Sequence, residues 1–201
     1  MLREAVKRAG VNVTLGTSPW GRALWSLENG KTALGGAYPN ARRLSRWRAS
    51  RPLYAERIMA VTRSDSHLAP TSIFDLQSLR ICVVENWSYG DQLDALRAQP
   101  GWRFDAAPSE AHCLRKLATN RVDVALIAHI NYPALTDEAI REQQRLFDIN
   151  LAMTTHVFWP NHTPTSTITK IDMALENMVK DGTLEAIIRA HLQDAPPRPL
   201  H

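Results

Sequence analysis

The apolar positions of this chain change period repeatedly, and each change marks an element. Residues 2–9 read as the end of a helix closed by Gly10, and Val11-Asn12-Val13-Thr14-Leu15 alternates as a short strand does. Ser18 as N-cap and Pro19 as first residue predict a second helix, in which Trp20, Ala23, Leu24 and Leu27 recur at helical spacing until Asn29-Gly30 stops it. Residues 33–37 form a small-residue strand, whose Gly35 and Gly36 suggest that a backbone or a ligand comes close. Residues 53–63 are a long β-branched stretch, followed by polar Ser64-Asp65-Ser66-His67 and Pro70.

Strands and helices then alternate. Strands are predicted at 79–85, 102–106 and 122–127, with helices at 89–98 and 109–118 between them, which implies βαβ units and a largely parallel sheet. A helix around 133–143 precedes a second long strand at 151–159. Helices at about 165–180 and 184–192 finish the chain before the tail Ala195-Pro196-Pro197-Arg198-Pro199. No independent core partner follows these two helices, so they are expected to fold back on residues 1–63.

Composition narrows the class. A chain of 201 residues with 44% hydrophobic and 22% charged content can bury a sizeable core, and no apolar run approaches the ~20 residues that span a bilayer. The charged N-terminus lacks a signal peptide's apolar centre, so as written nothing sends the chain out of the cytoplasm. Arg42, Arg43, Arg46, Arg48, Arg51 and Arg57 cluster, with Trp47 and Tyr54 interleaved. Such a cluster can bind phosphates, but arginine predominates over lysine along the whole chain, and a solvated loop with no nucleic-acid partner is expected. Cys82 and Cys113 lack zinc or CxxC spacing; two buried thiols are expected, with a disulfide if the mature protein is exported. No cofactor or metal is expected.

An ordered series of short motifs covers essentially the whole chain: Pro19-Trp20-Gly21-Arg22, Leu27-Glu28-Asn29-Gly30-Lys31, Arg42-Arg43 seven residues before Ser50-Arg51-Pro52-Leu53-Tyr54, Asp75-Leu76, Ser88-Tyr89-Gly90, 117–123, and Asp181-Gly182-Thr183. In this order they resemble the periplasmic solute-binding proteins of family 3, which include the polar amino-acid receptors of ABC transporters. The resemblance implies an α/β, two-lobed, periplasmic-binding-protein-like (type II) fold with a hinge of two strands. Lobe 1 would be residues 1–63 and 157–201, and lobe 2 residues 64–156. A small-molecule solute, an inner-membrane ABC permease and a periplasmic location follow from the same resemblance. Family members begin with a signal peptide and a strand ahead of the first helix; by that pattern this chain lacks both, and an exposed sheet edge in lobe 1 would invite self-association.

The resemblance also assigns site residues. Arg43 matches the arginine that grips a ligand carboxylate with paired, charge-assisted hydrogen bonds. Tyr38 falls where the family has a small hydroxylated residue touching ligand, and Trp20 belongs to the same wall. The turn Asn86-Trp87-Ser88-Tyr89-Gly90 joins a strand to a helix, so its amides, with Trp87, Ser88 and Tyr89, are expected to face an anion. Where amino-acid receptors carry an aspartate for the ligand ammonium, this chain has Ala128, leaving His129 and Asn131 as nearby polar substitutes. The solute therefore need not be an α-amino acid, and an anionic or carboxylate group is the feature expected to be retained. Two rivals use the same fold: a dehydratase, for which His112, His129 and Glu85 offer no acid–base constellation, and a sensory ligand-binding module.

Overall fold

A computed structural model describes residues 1–194; the proline-rich tail lies outside the described residues. The chain divides into two compact units. The first is Met1–Ala55 with Thr154–Gln193, and the second is Glu56–Met153. Residues 56–63 thus belong with the second unit, against the expected boundary after residue 63, because Ile58 to Val61 pair with a strand of that unit. On the return, residues 154–156 belong with the first unit, since Thr155 and His156 are bonded to segments of it.

In the first unit, α1 (Leu2–Ala9) carries Glu4 in its first turn and Lys7 and Arg8 in its last, matching the helix dipole, and Gly10 ends it at φ 59°. Arg8 bonds Glu4 at 2.9 Å, Asp181 at 2.5 Å and Thr183 at 2.8 Å, which ties α1 to the turn between α8 (Thr165–Lys180) and α9 (Thr183–Asp194). Ala5 is fully buried against a core shared with Ile171, Leu175, Met178 and Leu184. The expected return of the last two helices onto the first segment is what the core contains.

The unit's sheet is built on the end of β7 (Gln144–Trp159). On one side β1 (Leu34–Ala37) pairs antiparallel, with Leu34 opposite Phe158 and Gly35 opposite Val157; on the other, β2 (Arg48–Ala49) pairs with Phe158 and Trp159. α2 (Trp20–Glu28) follows Pro19, which takes the N-cap position in place of the expected Ser18. Residues 11–15 do not form the strand that their alternation predicts. Their exposure still alternates, with Val11, Val13 and Leu15 half-buried and Asn12 and Thr14 exposed, but no ladder partner is present among the described residues.

The second unit holds β3 (Tyr54–Arg63) from Glu56 onward, β4 (Arg80–Val84), β5 (Arg103–Ala107) and β6 (Val124–Ala128), in the order β3-β6-β4-β5. β4 runs parallel to both β5 and β6, as the alternation of elements requires, while β3 runs antiparallel to β6. Asp123 accepts from the backbone N–H, Nε and Nη2 of Arg80 at 2.7, 3.1 and 2.7 Å, so the Arg-Val-Asp motif is a brace between the starts of β4 and β6. The helix expected around 133–143 is split into α6 (Tyr132–Leu135) and α7 (Glu138–Glu142), the latter restarted by Asp137, whose side chain accepts from the Ile140 N–H.

The two cysteines are not the free thiols expected. Cys82 of β4 and Cys113 of α5 (Glu110–Ala118) are both fully buried and joined by a disulfide across 31 residues of sequence, within the core of Leu117, Val122 and Ile127. Packing a strand side chain against a helix side chain brings the two sulfurs together, which spacing alone does not reveal. In the chain-entropy account a loop of this length constrains the unfolded chain by about 4 kcal/mol. We expect the Cys82→Ala, Cys113→Ala variant to lose about that much stability in urea denaturation under oxidising conditions, and the wild type to lose a similar amount on reduction.

Candidate functional site

In the first unit a cluster of polar and aromatic groups surrounds one arginine. Asn40 caps α3 (Ala41–Arg46), its Oδ1 accepting from the Arg43 N–H at 2.7 Å, which starts the helix immediately after β1 and Tyr38. Arg43 is only 6% exposed, as is Tyr38. Its Nη1 donates to the Tyr38 carbonyl at 2.6 Å, and its guanidinium lies 5.6 Å from the centre of the Trp20 ring. A buried cation is tolerated only where acceptors and an aromatic face replace water, and this one has both. The structure therefore brings together the three residues expected on this side, Arg43, Tyr38 and Trp20.

The neighbouring arginines divide differently from expectation. Arg46 is exposed, lies 4.9 Å from the Trp47 ring and reaches Glu28 at 3.9 Å. Arg48, expected on the exposed side, is half-buried: it donates to Thr165 Oγ1 at 2.9 Å and to the carbonyls of Asn161 and Thr163, holding the loop before α8. The Ser50-Arg51-Pro52 motif is structural as well. Ser50 Oγ accepts from the Val157 N–H at 2.9 Å and donates to the Arg51 carbonyl at 2.6 Å, fixing the segment after β2 against β7.

In the second unit, Trp87, Ser88 and Tyr89 occupy the turn between β4 and α4 (Gly90–Leu96). Ser88 is 6% exposed and Tyr89 1%. The Tyr89 hydroxyl accepts from the Val84 N–H at 3.0 Å, and burial pushes its ionisation above the usual phenol range. Three of the turn's amides, expected to face an anion, have acceptors within the unit, the Trp87 N–H donating to the Val84 carbonyl at 3.3 Å. Asp94 accepts from the Tyr89 N–H at 3.1 Å and from the Ser88 hydroxyl, and Ser88 Oγ accepts from the Gly90 N–H at 3.3 Å. Arg97 donates to the Trp87 carbonyl at 3.1 Å and lies 5.3 Å from the Tyr89 ring centre. Asp94 and Arg97 escape a sequence reading because each looks like an ordinary solvent-facing helix position. Gly90, at φ 83°, allows the tight entry into α4 beside Met153.

His129 is exposed, its N–H donating to the Arg57 carbonyl at 2.9 Å. The acid beside it is buried. Glu110, the first residue of α5, accepts from the Ala128 N–H and from Asn131 Nδ2, both at 2.7 Å. Ala128 and Asn131, singled out in the sequence for other reasons, are thus the partners of a carboxylate eighteen and twenty-one residues earlier. Burial, with a smaller contribution from the charge of Glu56, pushes Glu110 up to about 7, although both hydrogen bonds favour its ionised form.

These elements have known counterparts. The sequence profile of the bacterial extracellular solute-binding proteins, family 3, matches residues 1–194. The chain belongs to that family. As a solute-binding protein it shares the fold of an amino-acid ABC transporter substrate-binding protein from Streptococcus pneumoniae bound to L-arginine, at a TM-score of 0.80 and 13% identity over 98% of this chain and 83% of the other. It also resembles a glutamate-bound ligand-binding core from Nostoc punctiforme, at 0.75 and 16% over 96% and 88%. A histidine kinase sensor domain matches at 0.76 and 20% over 94% and 81%. No curated protein matches the chain. The family and these structures are binding proteins, and the type II periplasmic fold is the one that the motif order implied.

Glu110 gives this solute-binding protein a measurable pH signature. Because its folded-state pKa is raised from 4.5 to about 7, the native state holds a proton that the unfolded chain releases between these values. Stability from this group is therefore full below pH 4.5 and falls as pH rises to 7, by about 3 kcal/mol in all. Urea denaturation across pH 4.5–8 should show the decline in the wild type, and Glu110→Gln should remove most of it. A wild type and variant with parallel pH profiles would contradict the assignment.

Proposed function

We propose that this family member captures a small carboxylate-bearing or otherwise anionic solute for an ABC-type uptake system, working in the periplasm and delivering its solute to a permease. Arg43 is the anchor. One observation carries the reading: a guanidinium almost entirely removed from water, oriented by the Tyr38 carbonyl and the Trp20 face, in a position where Asn40 sets the start of its helix. A planar guanidinium presents paired donors that match a carboxylate, and such charge-assisted hydrogen bonds are stronger away from water. Trp20 and Tyr38 define the adjoining surface.

The solute's other end is less constrained by the chain. Ala128 supplies no charge for an ammonium group, and Glu110 of the same unit is engaged with the Ala128 and Asn131 donors. Organic acids and amino acids both belong in the test panel. A second reading, a ligand-binding module for a sensor, is favoured by the likeness to the histidine kinase sensor domain. Both readings use the same capture chemistry and differ in the partner that reads the loaded state.

A thermal-shift panel of L-arginine, L-glutamate, succinate and related acids, followed by calorimetry on the strongest hit, tests the proposal. Arg43→Ala should weaken binding by about 2–5 kcal/mol, as for a desolvated charge pair, whereas exposed Arg46→Ala should change it by less than about 1 kcal/mol. Equal, small losses for both would remove Arg43 from the site. Arg48 is unsuitable as the control, because its hydrogen bonds hold the loop before α8.

A further inference from the structure

Within the second unit, a cavity of about 390 Å³ is lined by α5, the broken helix α6–α7 and the segment that follows β3. All of its lining belongs to this unit, and none of it to the Arg43 cluster. The break in the helix makes one wall. The Thr136 hydroxyl donates back to the Tyr132 carbonyl at 2.8 Å, and Asp137 starts α7 afresh. Arg141 fixes that break: its Nε donates to Thr136 Oγ1 at 3.1 Å, and its Nη2 to the carbonyls of Pro133 and Thr136 at 3.2 and 2.9 Å. Leu135 and Ile140, one before the break and one after it, line the cavity together with Leu114, Leu117 and Ala118, spaced i, i+3, i+4 on α5. The apolar wall is thus aliphatic and held in place before anything binds.

The polar lining is mostly donors. Ser64 donates its N–H to the Gln143 carbonyl at 2.9 Å, which sets residues 63–65 beside Gln143 and Gln144. Arg63 and Arg115 face a single acid among the described lining residues, Asp65, which already accepts from Arg63 Nε at 3.0 Å. Arg63 Nη1 donates to Asn120 at 2.6 Å, and Nη2 has no acceptor among the described residues. Gln144 accepts from the Tyr132 hydroxyl at 2.9 Å through Oε1, which turns its amide nitrogen into the remaining polar group of that side chain. An aliphatic wall beside donors of net positive charge matches an amphipathic anion: the chain leaves water for the wall, and the anionic head takes charge-assisted hydrogen bonds. A cationic head would meet two arginines instead, and a neutral one would give up the charge-assisted part.

We propose that this cavity binds a medium-chain carboxylic acid, its carboxylate held by Arg63 and the Gln144 amide and its alkyl chain lying against Leu114, Leu135 and Ile140. Its volume of about 390 Å³ falls at the lower end of small-molecule sites, which suits a chain of about eight carbons rather than a long fatty acid.

Octanoate, octan-1-ol and octylammonium are the probes, followed by NMR on the full chain with labelled methyl groups. Octanoate should give saturable, one-to-one shifts of the Leu114, Leu135 and Ile140 methyls below its micelle-forming range, with an affinity at least tenfold higher than that of either other probe. Overhauser contacts should join its terminal methyl to the same residues. Ala118→Trp places a large ring in the cavity from an exposed helix position and should weaken octanoate at least tenfold. Arg63→Gln should weaken octanoate by a similar factor while leaving octan-1-ol unchanged. If either variant does not fold, the wild-type contacts and the ranking of the three probes still decide. Absence of saturable binding, equal affinity for the three probes, or shifts confined to residues outside the cavity would overturn the proposal.

Discussion

Five consecutive residues of one strand, Thr155 to Trp159, hold the first unit's candidate site in place. They are paired on both sides. β1 bonds one edge and positions Tyr38, two or three residues before α3 begins; Ser50, Leu53 and β2 bond the other and fix where α3 must end. Arg43 lies on the short helix between these two attachments. A six-residue helix has little intrinsic stability, so its orientation comes from the Asn40 cap at one end and the strand pairing on either side of it. The buried guanidinium is aimed by its hydrogen bond to the Tyr38 carbonyl and by the Trp20 face.

The second unit solves a similar problem by different means. Its turn at Trp87–Gly90 is held from within by Asp94, from beneath by the Tyr89 hydroxyl on the Val84 amide, and from the side by Arg97. The disulfide ties β4, which leads into that turn, to α5, whose first residue is Glu110. Rigidity near a candidate contact surface lowers the ordering entropy that a ligand must offset on binding. Burial of Glu110 makes its contribution to stability decline as pH approaches neutrality.

Much of this was legible from the residues in order. The helices ending at Gly10 and at Asp181-Gly182, the βαβ alternation from 79 to 128, and the return of the last two helices to the first segment all follow from local periodicity and caps. So did the grouping of Arg43 with Tyr38 and Trp20, through motif spacing. What escaped was non-local. Residues 11–15 have a strand's pattern, but a strand exists only with a neighbour; Arg48 looks like its exposed neighbours until the loop before α8 closes on it. The Cys82–Cys113 bond and the Asp94 brace likewise depend on which side chains a fold brings together, and no spacing rule encodes them.

The central claim, that Arg43 receives the solute's anionic group, is most directly tested at the guanidinium itself. In a protein labelled with nitrogen-15 arginine, the Arg43 Nε–H resonance, assigned by its loss in Arg43→Lys, can be followed as a bound acid from the panel is titrated. A hydrogen-bonded carboxylate should move that resonance downfield and slow its exchange with water in proportion to occupancy, while the Arg46 resonance stays put. Saturable solute binding that leaves the Arg43 resonance unmoved would contradict the account.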